Sequence, residues 1–191
     1  MNIYDPYPET VELDGRIYRL NLAYDRVLRV LDAEEMAELT AEDRIAYQAA
    51  LLLERERDLP RSTQDQARLI AAALALLPKP DAENKNAERY IDFHQDAALI
   101  RSAFFRIGVD LLRDKIHICQ FLELLADLPE DTALMRTIDI RRRPLPEPNK
   151  HNQKQIAELQ AAKARVAIRY SEQERRQRFA DSLKNSSVLR G

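Results

Sequence analysis

The sequence predicts a mainly α-helical protein: a compact helical domain of about six helices, a small N-terminal β-hairpin and a long, basic C-terminal helix. Three observations carry this. Apolar residues recur at spacings of three and four through most of the chain, which is the spacing that buries one side of a 3.6-residue helix. Aromatics make up only 6% of the residues and Trp is absent, so the core must be built from Leu, Ile and Ala, which suit helix packing better than a β-sandwich. Strand-like alternation is confined to the residues around Asp14-Gly15.

That hairpin comes first. Val11, Leu13, Tyr18 and Leu20 alternate about Asp14-Gly15, a favoured type I′ turn because both turn positions want positive φ. The register sets Val11 opposite Tyr18 and Leu13 opposite the stem of Arg16. A lone hairpin is marginal in water, so it must lean on helices.

From Asp25 the spacing changes, and Val27, Leu28, Val30 and Leu31 form a helical stripe. Thr40, with Asp43 three residues on, is the expected N-cap of a second helix. Its stripe is Ile45, Ala49, Leu52 and Leu53, and it is expected to stop near Leu59-Pro60. Ser62 or Thr63 caps a third, with Ala67, Ile70, Ala71, Leu74 and Leu77 on one face. Pro78 and Pro80 end it, and residues 81–88 read as a loop.

Asp92 stands where a cap belongs, before a helix expected to bury Ala97, Ile100, Phe104 and Ile107 and to stop at Gly108. Asp110 is the candidate cap of the next, with Ile118, Phe121, Leu122 and Leu125 on its face, closed by Leu128-Pro129. Pro129-Glu130-Asp131-Thr132 then opens a short helix carrying Leu134, Met135 and Ile138, its acidic residues expected in the first turn.

The domain organisation follows. Residues 1–143 form the helical domain, 144–150 are a connector stiffened by Pro144, Pro146 and Pro148, and 151–191 are a basic helical extension whose end is expected to be disordered. Ile156, Leu159, Val166 and Tyr170 share one face of that extension, with Lys163 in the remaining seam position. Phe179 and Leu183 stand apart from the stripe. So thin a stripe cannot make its own core, so the helix must dock on the body, another copy or a partner, or else fray.

Net charge is −2, but it is unevenly placed. Residues 141–191 carry 13 Lys/Arg against 5 Asp/Glu, and residues 1–140 carry 17 against 27. The extension therefore suits an acidic partner or the acidic body of another copy.

Several function classes are excluded. Three glycines, Gly15, Gly108 and Gly191, cannot write a P-loop, a dinucleotide fingerprint or a nucleophile elbow. A single cysteine, Cys119, excludes an internal disulfide or a Cys-x-x-Cys knuckle, and its apolar helical setting reads as a small core residue. The longest apolar run, residues 69–77, falls short of the roughly 20 residues that cross a bilayer. The opening residues show no basic segment followed by an apolar stretch, so no signal peptide is expected and the protein is expected to be cytosolic, without membrane association.

Asp92, His94 and Asp96 are the best case for a metal or acid–base site, since carboxylates near an imidazole can hold a divalent ion. A cap accounts for Asp92 without a ligand, however, and neither His117 nor His151 completes a ligand spacing. The charge runs Glu34-Glu35 and Glu54–Asp58 read as solvated helix faces. Glu172 and Glu174, four residues before Arg176 and Arg178, support an exposed helix. No catalytic residue, cofactor or metal is assigned, and no enzyme is expected. The candidate partner-binding residues are basic: Arg141, Arg142 and Arg143, then Arg165, Arg169, Arg175 and Arg176. Only Tyr170 and Phe179 accompany them, with no recognition-helix or stacking motif, so a protein partner is expected ahead of nucleic acid.

An ordered set of short motifs resembles the bacteriophage gene-product-fifteen family of tailed phages and prophages. Near the start stand Tyr4-Asp5-Pro6, Val11–Gly15 and Ile17-Tyr18. Later come Tyr90–Phe93, Asp96-Ala97, Ala103-Phe104, Gly108–Leu111, Phe121, Leu128–Thr132 and Ile138–Arg141. His117, Ile118 and Cys119 stand where the family commonly has aromatic residues. The resemblance implies a tail-assembly chaperone that coats the tape-measure protein in the host bacterial cytoplasm while the tube assembles, with the tail tube protein as a second partner. Two other readings stay open: a structural tail or head–tail component of the virion, and a nucleic-acid-binding accessory protein acting through the basic helix.

Overall fold

The computed structural model describes residues 4–78 and 89–170. It contains a two-stranded antiparallel hairpin, β1 (Thr10–Leu13) and β2 (Arg16–Arg19), followed by seven α-helices: α1 (Tyr24–Asp32), α2 (Ala41–Leu52), α3 (Thr63–Leu74), α4 (Ala97–Arg106), α5 (Ile118–Ala126), α6 (Ala133–Arg142) and α7 (Gln153–Val166). The described residues fall into two compact units. One holds residues 4–78 and 104–128, the other 89–103 and 129–170.

In the first unit the hairpin has the expected register, Val11 opposite Tyr18 and Leu13 opposite Arg16. Asp14 and Gly15 take φ of 51° and 77°, the two positive values that a type I′ turn needs. The hairpin then runs on as an extended thread, residues 20–23, which is stitched to two other segments. Leu20 bridges Leu53, with the Asn21 N–H donating to Leu52 O at 2.8 Å and the Glu54 N–H to Arg19 O at 3.1 Å. Ala23 bridges His117, and the Ile118 N–H donates to Leu22 O at 2.8 Å.

This thread explains why α2 ends at Leu52 rather than near Leu59-Pro60. Leu53 leaves the helix, with ψ of 141°, to pair with Leu20 and is buried there. The carbonyls of Leu51 and Leu53 are taken by the Arg26 guanidinium at 3.0 and 3.2 Å, so two acceptors at the early stop find a partner. Only a single 3₁₀ turn, Glu56–Asp58, follows.

The caps at Thr40 and Ser62 form as expected, each hydroxyl accepting the N–H three residues on, at 3.1 and 3.0 Å. On α1, Val27 and Val30 are buried but Leu31 is half exposed. The face of α3 is rotated from expectation: Gln66, Leu69 and Ala73 are buried, while Ala67 and Ala71 are exposed and Ile70, Leu74 and Leu77 only partly covered. Gln66 is tolerated inside because its amide donates to Pro60 O at 2.7 Å. Alanines carry too little apolar area to fix a helix's rotation, and the satisfied Gln66 removes the polar penalty that would have set it.

Gly108, φ 87°, ends α4 in a Schellman motif: the Val109 N–H donates to Phe104 O and the Gly108 N–H to Phe105 O, both at 3.0 Å. Ile107 belongs to that turn and is partly exposed, so it is not on the buried face; Ala103 is buried instead. Asp110 caps only the turn after it, accepting from the Leu112 N–H at 3.1 Å. The cap of α5 is His117, whose Nδ1 accepts the Cys119 N–H at 3.1 Å. Tyr24, Phe121 and Phe104 stack in series at centroid spacings of 4.9 and 5.0 Å, and this column is the centre of the first unit's core.

In the second unit, Thr132 caps α6, accepting the Met135 N–H at 3.2 Å, so Glu130 and Asp131 precede the helix rather than open it. Leu134 is fully buried. Residues 144–148 have no regular structure and α7 follows, with Ile156, Leu159, Lys163 and Val166 partly covered and no residue fully buried. The loop expected at 81–88, Pro80, and everything expected after Tyr170 lie outside the described residues.

Candidate functional site

The Asp92–Asp96 turn is built on capping interactions. Asp92 Oδ1 accepts the N–H groups of His94 and Gln95, at 2.9 and 2.7 Å, and Oδ2 pairs with Arg89. Burial by itself would push this carboxyl up, but the two N–H groups and the Arg89 guanidinium hold it below the ordinary carboxylate value. Asp96 in turn accepts the Asp92 N–H at 2.9 Å. Its two oxygens also accept from Arg141, Nη1 at 2.6 Å and Nη2 at 2.9 Å. The carboxylates of the Asp92, His94 and Asp96 triad are thus engaged in building the turn. Among the described residues, no group of three His, Cys, Asp or Glu side chains is placed to hold a metal ion.

Arg141 sits at the centre of the second unit. Besides Asp96 it donates to Tyr90 O at 2.8 Å and, through Nε, to Val166 O at 2.6 Å. Lys163 Nζ donates to the Arg141 carbonyl at 2.7 Å. Residues 167–170, extended beyond α7, form a strap over this pair. Gln95 reads the strap's main chain in both directions: its Nε2 donates to Arg169 O and its Oε1 accepts the Arg169 N–H, both at 3.0 Å. The Arg89 guanidinium lies 5.4 Å from the centre of the Tyr170 ring.

Of the basic residues singled out from sequence, Arg141, Arg165 and Arg169 are brought together on a cleft of about 420 Å³, lined also by Gln95, Asp96 and Thr137. Arg141 is spent inside the unit; Arg165 and Arg169 are exposed. Arg142 is exposed, and Arg143 pairs with Asp139 one turn back. Arg175 and Arg176 lie outside the described residues.

A second cleft, about 600 Å³, belongs to the first unit and was not legible in the sequence. Glu9, Arg19, Glu54, Lys115 and His117 line it, a mixture of charges drawn from four chain segments. His117 Nε2 lies 3.3 Å from Pro8 O, and its ring stacks on Tyr7 at 4.8 Å. With Nδ1 accepting the cap bond, the ring must carry its proton on Nε2 and donate it to Pro8 O. Burial holds its pKa below the ordinary imidazole value. Tyr7 is pushed up to about 12, first by its 2.6 Å hydrogen bond to Glu123. Burial raises the Cys119 thiol, as befits an inert core residue.

The first unit also exposes apolar side chains. Phe105 and Leu112 keep 71% and 69% of their surface in solvent, and Ile107 between them is partly exposed. One sequence signal does point to Phe105: adjacent residues on a helix lie about 100° apart, so Phe104 and Phe105 cannot both face the core.

Among the described residues, no helix is long and apolar enough to cross a membrane. A family model described as "Bacteriophage Gp15 protein" matches residues 3–168. Neither the curated proteins nor the solved structures provide a match.

Proposed function

The chain belongs to the bacteriophage Gp15 protein family, and on that premise we propose that it is a non-enzymatic tail-assembly chaperone, acting in the cytoplasm of the phage's bacterial host. Its main client is the tape-measure protein, a long helical chain, and the tail tube protein is the partner that displaces it. The observation that carries this reading is the exposure of Phe105 and Leu112, seven residues apart around the Gly108 turn. Large apolar side chains held in water on ordered backbone suit helix-against-helix shielding of a client whose own apolar faces aggregate.

Such a client must be released, so modest contacts suit the task better than one deep anchor. The shallow, solvent-facing placement of these side chains supports that. Arg142, Arg165 and Arg169 add exposed positive charge for an acidic stretch of client.

Co-expression with the tape-measure protein of the same phage tests this directly. The soluble yield of the tape measure is expected to rise when this chain is present; an unchanged yield sinks the proposal. Mass spectrometry of purified virions adds a second check, because a chaperone is absent from the finished particle and a structural tail component persists in it.

A further inference from the structure

We propose that residues 151–170, comprising α7 and the strap, exchange between two copies of this chain, each copy seating its strap in the Arg141 cleft of the other. The inference rests on how the strap is held. Its anchors are Arg141 Nε on Val166 O, Gln95 on both main-chain groups of Arg169, and Arg89 over the Tyr170 ring. Each joins a group on the exchanging segment to one that stays behind. The bonds are therefore identical whichever copy supplies the strap, which is the condition for a low-cost swap.

No residue of α7 is fully buried, and its inward seam includes the charged Lys163. Apolar burial sets the main cost of opening a packed helix, so the segment leaves more readily than α6, whose Leu134 is fully buried.

The connector favours the extended arrangement. Residues 142–151 are all exposed, and three prolines fall within five positions, Pro144, Pro146 and Pro148. The side chains of Asn149 and Asn152 bond only to main-chain groups of residues 147–151, and the Asn152 carbonyl accepts the Ile156 N–H in the first turn of α7. Proline-rich backbone prefers a stiff, extended course at about 3.1 Å per residue. Returning α7 to its own α6 requires this stretch to reverse direction, whereas reaching another copy lets it run straight. Charge acts in the same sense. Residues 141–191 carry 13 Lys/Arg against 5 Asp/Glu while the remainder is acidic, so a second copy presents the complementary field.

The test uses the full chain with p-benzoylphenylalanine at position 170, an aromatic in place of Tyr170, prepared in normal and nitrogen-15 forms. The two are mixed in equal amounts, refolded together at high concentration and irradiated. Cross-links from position 170 to residues 89–95 are then read by mass spectrometry. Exchange predicts that about half of these cross-links join a heavy to a light chain, the random share for reciprocal dimers. Cross-links that are purely heavy or purely light show the strap stays in its own chain and overturn the proposal, even if dimers form. Should the photoreactive variant fail to fold, the natural sequence decides by light scattering. A monomer alone overturns the proposal. So does a dimer that persists when about ten Gly/Ser residues are inserted after Pro146, since a flexible connector removes the reason to exchange.

Discussion

Arg141 and Asp96 meet across 45 residues of sequence in a two-point ion pair, Nη1 to Oδ2 at 2.6 Å and Nη2 to Oδ1 at 2.9 Å, with 9% and 4% of their side chains exposed. A pair this buried is not automatically stabilising, since desolvating both charges costs several kcal/mol. Here every nitrogen of the guanidinium has an acceptor, which offsets that cost and fixes α6, the Asp92–Asp96 turn and the strap at one point.

Removing one partner strands the other. Arg141→Ala is therefore expected to destabilise the protein by about 3–5 kcal/mol, measured by urea unfolding. Arg141→Lys should recover only part of this, because an ammonium cannot span both carboxylate oxygens and two carbonyls. Equal stability of the Lys variant and the parent would refute the two-point role.

His117 makes stability depend on pH. Its folded pKa lies below the ordinary value, chiefly through burial, so the unfolded chain takes up the proton more readily. Stability should hold above pH of about 6.5 and decline as pH falls from there towards the folded pKa, then level off. Protonating Nδ1 also abolishes the acceptor that caps α5. His117→Asn keeps a cap and removes the titration, so its stability between pH 5 and 8 should be flatter than the parent's. An unchanged slope would show that another group is responsible.

Caps should report their individual worth. Ser62→Ala is expected to cost about 1 kcal/mol and Ser62→Asn close to nothing, because Asn restores an acceptor for the Asp65 N–H. Equilibrium denaturation of the two variants checks this, and a full loss in the Asn variant would contradict it.

Gly15 is required by conformation alone. A Cβ there meets nothing within 4 Å, yet φ is 77°. Gly15→Ala should cost about 1–2 kcal/mol from the left-handed backbone, whereas Gly15→Asn should be milder, because Asn tolerates that region better. A thermal melt in which the two variants coincide would argue against this account.

Phe105 and Leu112 separate function from folding. Phe105→Ser and Leu112→Ser should change stability by no more than about 0.5 kcal/mol, as exposed positions do, while lowering the soluble yield of co-expressed tape-measure protein. Loss of folding and of client yield together would mean these side chains support the fold instead.

Local chemistry was readable wherever a residue's role depends on its near neighbours. Asp14-Gly15 wrote its turn and strand register, Thr40 and Ser62 wrote their caps, and Gly108 wrote the end of α4, because each interaction closes within a few residues. The ordered motifs from Tyr4 to Arg141 were likewise enough to point to the family. What depended on distant partners was not readable. That Leu53 abandons α2 follows from its pairing with Leu20, and that Gln66 is buried follows from the carbonyl of Pro60. His117 serves as a cap only because the thread at Leu22 and Ala23 fixes where α5 begins. Arg141 looked like one of several basic residues awaiting a partner; folding placed Asp96, Tyr90 and Val166 around it, and a buried guanidinium takes the acceptors that tertiary packing supplies.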